Sequence, residues 1–160
     1  MKARLDADRA APEAMKAMLA LDKYVHKCGL EPSLLELIKT RASQINGCAY
    51  CVHMHTSDAR AMGETEERLY LLSAWRESPL YTDRERAALA WTEALTLIAE
   101  SQAPDELYEE ARKQFSEEEL VKLSVAIGLI NAWNRIAVGF RYVHPVKKPR
   151  WGSRGHRQSR

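Results

Sequence analysis

Apolar side chains recur every three or four residues along most of the chain, which is the spacing of one face of an α-helix. Prolines or capping residues open most of these segments, and glycine, asparagine or proline follows them. The predicted helices cover about residues 12–28, 32–45, 48–62, 65–77, 82–98, 104–115 and 116–140. We find no period-two strand pattern, no glycine-rich phosphate loop and no repeat at fixed spacing. The pattern predicts an all-α class, a single-domain bundle of six to seven helices within residues 1–146.

Short motifs mark several of the predicted helix ends. Thr82 to Glu85 has the spacing of a capping box, and Ser116 to Glu119 caps the last helix. The pair Asn46-Gly47 suits a left-handed C-terminal cap. The second predicted helix therefore ends in a tight turn immediately before residue 48.

The last predicted helix, VKLSVAIGLINAWNRIAVGF, is apolar on most of its circumference. A helix of this kind needs protein on most of its sides. In a chain of 160 residues that requirement favours burial in a subunit interface. We therefore expect a homo-oligomer.

The composition is that of an ordinary folded protein, with 46% apolar and 29% charged residues. There is no run of about 18 apolar residues, so no membrane span is predicted. The amino terminus MKARLDADRA lacks the apolar core of a signal peptide. Three cysteines, an odd number, do not make a secreted disulfide framework. We expect a cytoplasmic protein, where a CxxC pair is more often catalytic or metal-binding than structural.

Residues 147–160 form a basic tail with six Lys/Arg and no acid. The residues before it carry 18 basic and 22 acidic side chains, a net charge of −4. A basic tail can attract nucleic acid or anionic lipid, but this one has no aromatic residue besides Trp151. We interpret it as a flexible, solubilising terminus and do not expect a nucleic-acid partner.

The stretch NGCAYCVHMH, residues 46–55, carries the candidate chemistry. On a helix that turns about 100° per residue, Cys51 lies at about 300° and His55 at about 340° when Cys48 is set at zero. His53 falls near 140°, on the opposite face. Cys48, Cys51 and His55 therefore form one cluster, and we interpret His53 as a surface or interface residue.

This cluster suits a redox couple. A cysteine at a helix start faces unpaired N–H groups and the positive end of the helix dipole, which favour the thiolate. The CxxC spacing lets the two sulfurs bridge, and His55, one turn after Cys51, lies within reach for proton transfer. Two alternatives stay open: zinc held by Cys48, Cys51, His55 and either Glu36 or water, although no second ligand pair exists, or two buried thiols beside a packed histidine.

Glu36 stands upstream of these residues in the pattern E-x11-C-x-x-C-x3-H. With the all-helical order and INAWNRIAVGFR at residues 130–141, this pattern resembles the alkylhydroperoxidase D-like branch of the carboxymuconolactone decarboxylase superfamily. The resemblance covers about residues 12–145. It implies an all-α trimer, or a hexamer built from trimers, that reduces hydroperoxides or disulfides without a cofactor or a metal.

The resemblance also implies roles for individual residues. Cys51 is the expected peroxide-attacking thiol, Cys48 the resolving and partner-facing thiol, and Glu36 with His55 a proton relay. The expected electron donor is a protein dithiol, either a lipoyl-bearing adaptor or a thioredoxin-like protein, and a peroxiredoxin is a further expected partner. The residues alone leave the order of attack open, because the helix start favours Cys48 whereas the histidine spacing favours Cys51.

Tyr50 departs from the family pattern, since the best-known members carry a histidine immediately before the second cysteine. A phenol with a free pKa near 10 is a poor base at neutral pH, so we expect a shorter relay or a different peroxide specificity. Glu36 lies almost opposite the Leu34/Ile38 stripe, which by pattern alone indicates a surface acid. Its distance from the turn nevertheless puts it level with His55 in an antiparallel helix pair.

Two other functions remain compatible with the sequence. Ring-lactone decarboxylation, the chemistry in the superfamily's name, needs no dithiol. A non-enzymatic redox-sensing or scaffold oligomer would use the same cysteines without turnover. Cys28, in HKCGL, has no partner at a suitable spacing, and we interpret it as a buried core residue.

Overall fold

The computed structural model describes residues 1–146, and helices dominate that range. Its nine α-helices are α1 Ala7–Ala10, α2 Pro12–Val25, α3 Pro32–Ile45, α4 Ala49–Ala61, α5 Glu66–Leu71, α6 Asp83–Thr96, α7 Ile98–Ser101, α8 Asp105–Gln114 and α9 Glu117–Phe140. A 3-10 segment, Leu72–Glu77, follows α5. No strand occurs within residues 1–146, which confirms the predicted all-α class. The predicted basic tail, residues 147–160, lies outside the described residues.

Two single-turn helices raise the number of helices in residues 1–146 above the predicted six to seven. α1 is capped by Asp6, whose carboxylate accepts the backbone N–H of Arg9 at 3.0 Å. α7 is separated from α6 by Leu97, whose ψ of 36° breaks the helical path. A four-residue helix is too short to show periodicity, so the hydrophobic pattern does not register it.

The predicted helix boundaries at the capping motifs are confirmed. Thr82 and Ser116 each accept the N–H of the glutamate three residues on, and that glutamate accepts the N–H of the capping residue. Both capping boxes are therefore complete. Gly47 has φ of +66°, the left-handed conformation expected after the end of α3. The chain reverses there and enters α4.

The predicted helix over residues 65–77 divides into α5 and the 3-10 segment. Ala74, with φ of −117° and ψ of 27°, leaves the helical region. Leu72 and Trp75 are both buried at this point. A continuous α-helix turns 100° per residue, whereas 3-10 geometry brings residues three apart into line. The tighter segment therefore directs both side chains into the same small core.

α3 lies at the centre of the bundle and packs against α4, α6 and α9. Every residue from Leu34 to Thr40 is buried, and the largest core cluster includes Leu35, Ile38 and Ile127. A helix without a solvent face must satisfy its polar side chains inside the protein. α3 carries four buried polar residues, of which Glu36, Lys39 and Ser43 have hydrogen-bond partners, whereas within residues 1–146 the hydroxyl of Thr40 has none.

α9 packs against five helices, α2, α3, α4, α6 and α8. By length and composition it is the one helix of residues 1–146 that is long and apolar enough to cross a membrane, a property that core helices share. Its outer face nevertheless leaves Val121 and Val138 63% and 49% exposed. This exposure agrees with an oligomer interface on α9, which stays a prediction because the structure contains one chain.

Candidate active site

Cys48 and Cys51 lie at the start of α4 and are joined by a disulfide. Cys48 is the N-cap residue, its N–H donates to the carbonyl of Ser43 at 3.0 Å, and its sulfur accepts the N–H of Cys51 at 3.3 Å. Their Cα atoms are 5.3 Å apart, a normal separation for a disulfide. The predicted ability of the two sulfurs to bridge is confirmed. Both cysteines are buried, with exposed fractions of 1% and 2%.

His55 and Glu36 meet across the interface between α4 and α3. Nδ1 of His55 lies 2.8 Å from Oε2 of Glu36, and both side chains are buried. The antiparallel register predicted this meeting, whereas the helical pattern alone placed Glu36 on the surface. The pattern fails because α3 is enclosed at this point. An ionised carboxylate can only accept a hydrogen bond, so Nδ1 of His55 is the donor to Glu36.

Lys39 is a site residue that the sequence analysis missed. Its ammonium lies 3.2 Å from Oε1 of Glu36 and 3.3 Å from Nε2 of His26. Its side chain is 3% exposed, so the Lys39–Glu36 ion pair is buried. The available sequence signal was the spacing of three residues between Glu36 and Lys39, which places opposite charges side by side on a helix.

The charges around Glu36 determine its protonation. Burial alone raises the pKa of the Glu36 carboxyl, because it removes water from the charged form. The hydrogen bond and charge of His55, together with the charge of Lys39, lower the pKa by more. The net pKa lies below the usual glutamate value, so Glu36 is a carboxylate at neutral pH.

Three residues of α3 and α4 have the spacing of a metal site. Ligand atoms of Glu36, His55 and Asp58 lie within 4.8 Å of one another. Both oxygens of Glu36 are already engaged, one by Lys39 and one by His55. A metal ion here would have to displace the Lys39 ammonium. In the oxidised form seen here the sulfurs of Cys48 and Cys51 are bonded to each other, so the zinc alternative requires the reduced form.

A cavity of about 350 Å³ opens onto Cys51. Cys51, His55 and Lys39 are among its polar lining residues, whereas Cys48 does not line it. Most of the wall is apolar and comes from α2, α4 and α9: Leu19, Met54, Leu129, Ile130, Trp133 and Ala137. Of the two cysteines, only Cys51 therefore faces a cavity that can hold a small molecule.

The segment that follows α9 packs against α4. The rings of Tyr50 and Tyr142 meet edge to face at 5.5 Å, and both residues line the cavity. His53 stacks on His144 at 5.0 Å. As predicted, His53 lies outside the cluster of Cys51 and His55. Tyr50 is part of the cavity wall rather than of the Glu36–His55 pair.

A buried network of amides fixes the turn before Cys48. Nδ2 of Asn46 donates to Oδ1 of Asn131 and of Asn134, both at 2.9 Å. Nδ2 of Asn134 donates in turn to the hydroxyl of Ser43 at 3.0 Å. Since the carbonyl of Ser43 binds the N–H of Cys48, this network ties the position of Cys48 to α9. Asn131 and Asn134 belong to the INAWNRIAVGFR stretch noted in the sequence.

Cys28 is a free thiol in the main hydrophobic core, 7% exposed. It belongs to a different cluster from Cys48 and Cys51. Its burial among apolar side chains agrees with the interpretation of Cys28 as a core residue.

Comparison with known proteins places this site in a family. The carboxymuconolactone decarboxylase family model matches residues 12–94, which include the whole of the CxxC and the residues that surround it. The uncharacterized protein YdfG of Bacillus subtilis (strain 168) is 48% identical over 138 residues, covering 86% of this chain and 94% of YdfG. Both findings span more than half of the chain.

Solved structures agree with this assignment. A protein of unknown function from Agrobacterium tumefaciens, described as a candidate antioxidant defence protein AhpD, has 55% sequence identity and a TM-score of 0.89, covering 91% of this chain and all of that one. The debrominase Bmp8 has a TM-score of 0.74 at 20% identity, covering 84% and 72% of the two chains, which shows the fold alone. The chain thus belongs to the carboxymuconolactone decarboxylase family, in its alkylhydroperoxidase D-like branch.

Proposed function

We propose that the protein is a dithiol-dependent peroxidase that reduces alkyl hydroperoxides in the cytoplasm. One observation carries the proposal: Cys51 of a bridgeable cysteine pair lines a largely apolar cavity together with His55, which is paired with the buried Glu36. A nucleophilic thiol needs a base to take its proton, a second thiol to resolve the product, and space for the substrate. The site contains all three.

The first step uses Cys51, which lines the cavity. His55 takes the proton of the Cys51 thiol at Nε2, while Glu36 stabilises the resulting imidazolium through Nδ1. The thiolate attacks one oxygen of the hydroperoxide, so an S–O bond forms and the O–O bond breaks. The departing alkoxide takes the proton back from His55 and leaves as an alcohol. Cys51 becomes a sulfenic acid.

The second step uses Cys48, the N-cap residue of α4. Its sulfur attacks the sulfur of the Cys51 sulfenic acid, so the S–S bond forms and the S–O bond breaks. Hydroxide leaves and takes up the proton of Cys48 as water. Two thiols have then been oxidised to one disulfide, and the hydroperoxide has been reduced to an alcohol and water. The disulfide of the structure corresponds to this product state.

A protein dithiol regenerates the enzyme under this proposal, and a lipoyl-bearing adaptor or a thioredoxin-like protein has the required chemistry. One donor thiolate attacks the sulfur of Cys51 through the cavity, forming a mixed disulfide and releasing Cys48 as a thiolate. The second donor thiol then attacks the donor sulfur of that mixed disulfide, which closes the donor disulfide and releases Cys51. This order differs from the expected partner-facing role of Cys48, and we propose it because Cys51 lines the cavity whereas Cys48 does not. A peroxiredoxin and further copies of this chain, as a trimer or hexamer, remain the proposed partners.

The substrate class follows from the cavity walls. Aliphatic and aromatic side chains of α2, α4 and α9 surround most of the space above Cys51. A volume of about 350 Å³ exceeds what hydrogen peroxide needs and accommodates an alkyl or aryl group. Burial of that group contributes about 25 cal/mol for each Å² of apolar surface removed from water. We therefore propose apolar organic hydroperoxides as the preferred substrates.

Turnover measurements test the proposal. The purified protein is supplied with cumene hydroperoxide and dihydrolipoamide, and oxidation of the dithiol is followed continuously. We expect Cys51→Ser and Cys48→Ser to lose at least 99% of the turnover, because neither variant can close the disulfide. Cys28→Ser is the matched control and should keep it, since Cys28 lies in a separate core. Turnover that persists in Cys51→Ser would overturn the proposal.

A further inference from the structure

Lys39 is a buried cation that takes no part in the proposed reaction steps. Lysine ammonium groups are almost never fully buried unless they are paired. Here the side chain reaches from the enclosed face of α3 to two partners, Oε1 of Glu36 and Nε2 of His26. A buried ion pair of this kind is weak evidence for stability, because desolvation offsets most of its attraction. Because the ion pair lies beside the active site, it can influence the reacting groups.

The geometry connects Lys39 to the reacting groups. Glu36 stands between Lys39 and His55, with one carboxylate oxygen on each: 3.2 Å to the ammonium and 2.8 Å to Nδ1. Lys39 also lines the cavity together with Cys51 and His55. A change in the charge of Lys39 therefore acts on the carboxylate, on the imidazole and on the thiol.

We propose that Lys39 is a positioning residue for the thiol chemistry. It holds Glu36 ionised with Oε2 directed at His55, so that the carboxylate stabilises the imidazolium that forms when Nε2 accepts the proton of Cys51. This inference rests on the proposed function, because it assigns a purpose to the Glu36–His55 pair. Lys39 does not contact the reacting atoms; it acts through Glu36 and through its positive charge in the cavity wall.

The sign of the effect follows from the charges. Without Lys39, the Glu36 carboxyl loses one of the groups that lower its pKa, so it takes up a proton more readily and stabilises the imidazolium of His55 less. Removal of a cation from the cavity also disfavours the Cys51 thiolate. Both changes move ionisation of the thiol to higher pH. Lys39 therefore lowers the pH at which the Cys51 thiol ionises.

Other titratable groups face the same region and do not replace Lys39. In the cavity wall these groups are two acids, Asp8 of α1 and Asp22 of α2, and two phenols, Tyr50 and Tyr142. On the opposite side of the ion pair they are His26 and Asp58. None of them is a cation at alkaline pH. Among the described residues, Lys39 is the only lysine or arginine that lines the cavity.

The test measures thiol ionisation without any peroxide. The reduced protein is alkylated with iodoacetamide between pH 5 and 10, and mass spectrometry of the Cys51 peptide gives the rate at each pH. We expect Lys39→Met and Lys39→Gln to move the midpoint of the Cys51 rate upward by about one pH unit, which is about tenfold in ionisation. Lys39→Arg, which keeps the charge, should stay within about 0.3 unit of the native midpoint. Lys16→Met, on the exposed face of α2, is the matched control and should leave the midpoint unchanged.

Each outcome decides the inference. An unchanged midpoint in a folded Lys39→Met or Lys39→Gln protein, judged by circular dichroism, overturns it. A shift of the same size in Lys39→Arg also overturns it, because geometry rather than charge would then be responsible. If Lys39→Met fails to fold, Lys39→Gln provides the result. A shifted midpoint in a protein without peroxidase turnover would support the role of Lys39 and refute the proposed function, so the two failures are distinguishable.

Discussion

Nδ1 of His55 lies 2.8 Å from Oε2 of Glu36, across nineteen residues of sequence and between two different helices. α3 ends at the left-handed Gly47 and α4 returns alongside it, so positions at similar distances from the turn come level. His55 is one helical turn beyond Cys51. The turn geometry therefore delivers a carboxylate, an imidazole and a thiol to one place.

Glu36→Gln tests the contribution of the carboxylate to catalysis. The amide keeps the shape of Glu36 but no longer stabilises the imidazolium of His55. We expect kcat/KM for cumene hydroperoxide to fall by about 10²–10³, the usual scale for a lost acid–base contribution. The measurement is steady-state turnover with a dithiol donor. Glu13→Gln, an exposed acid of α2, is the control, and equal losses in both variants would contradict a specific role for Glu36.

The lowered pKa of Glu93 predicts how the stability of the protein depends on pH. Burial raises the pKa of the Glu93 carboxyl, but hydrogen bonds from Trp75, Arg76 and Arg41 lower it by more, so the net pKa lies below the ordinary value of 4.5. A lowered folded-state pKa contributes stability that is complete above the unfolded-state value and is lost as pH falls through the folded-state value. We therefore expect the free energy of unfolding to fall with pH below about 4.5.

Glu93→Gln should remove part of that pH dependence and cost about 2–3 kcal/mol at pH 7, because it weakens several charge-assisted hydrogen bonds. Urea unfolding at pH 7 and at pH 4 measures both effects. The loss should be smaller at pH 4, because the Glu93 carboxyl of the unfolded chain takes up a proton below its ordinary pKa of 4.5 while the folded-state carboxyl, with its lowered pKa, resists protonation. A loss of equal size at both pH values would show that Glu93 does not titrate in this way.

Tyr50→Phe tests whether the tyrosine hydroxyl takes part in proton transfer. The ring of Tyr50 packs edge-on against Tyr142 in the cavity wall, and a phenylalanine ring preserves that contact. A phenol is a poor base at neutral pH. We expect kcat to change by less than about threefold, measured with cumene hydroperoxide, while Tyr50→Ala should raise KM through loss of the wall. A tenfold fall in kcat for Tyr50→Phe would instead place the hydroxyl in the relay.

The helices and the cysteine pair were predictable because their signals are local. Capping boxes, the Asn46-Gly47 turn and the CxxC spacing each depend on residues within a few positions of one another. Whether Glu36 is buried depends on helices that pack from three sides, which the α3 pattern does not contain. The family resemblance placed Glu36 correctly where periodicity alone did not.

Lys39 shows a second limit of the sequence. Its periodic position marks an ordinary charged residue, and only the fold shows that the ammonium is enclosed between Glu36 and His26. Leu19 and Leu21 show the converse, because both are apolar residues of α2 and the single chain leaves them 55% and 39% exposed. Tertiary and quaternary contacts determine whether such residues are buried, and local periodicity does not contain this information.

The central claim is that Cys48 and Cys51 are a peroxide-oxidised couple. The most direct measurement adds one equivalent of cumene hydroperoxide to the fully reduced protein and counts thiols by mass spectrometry. The account predicts the loss of two thiols, a Cys48–Cys51 disulfide, and Cys28 still reduced. Three intact thiols after peroxide, or oxidation of Cys28 in place of this pair, would contradict it.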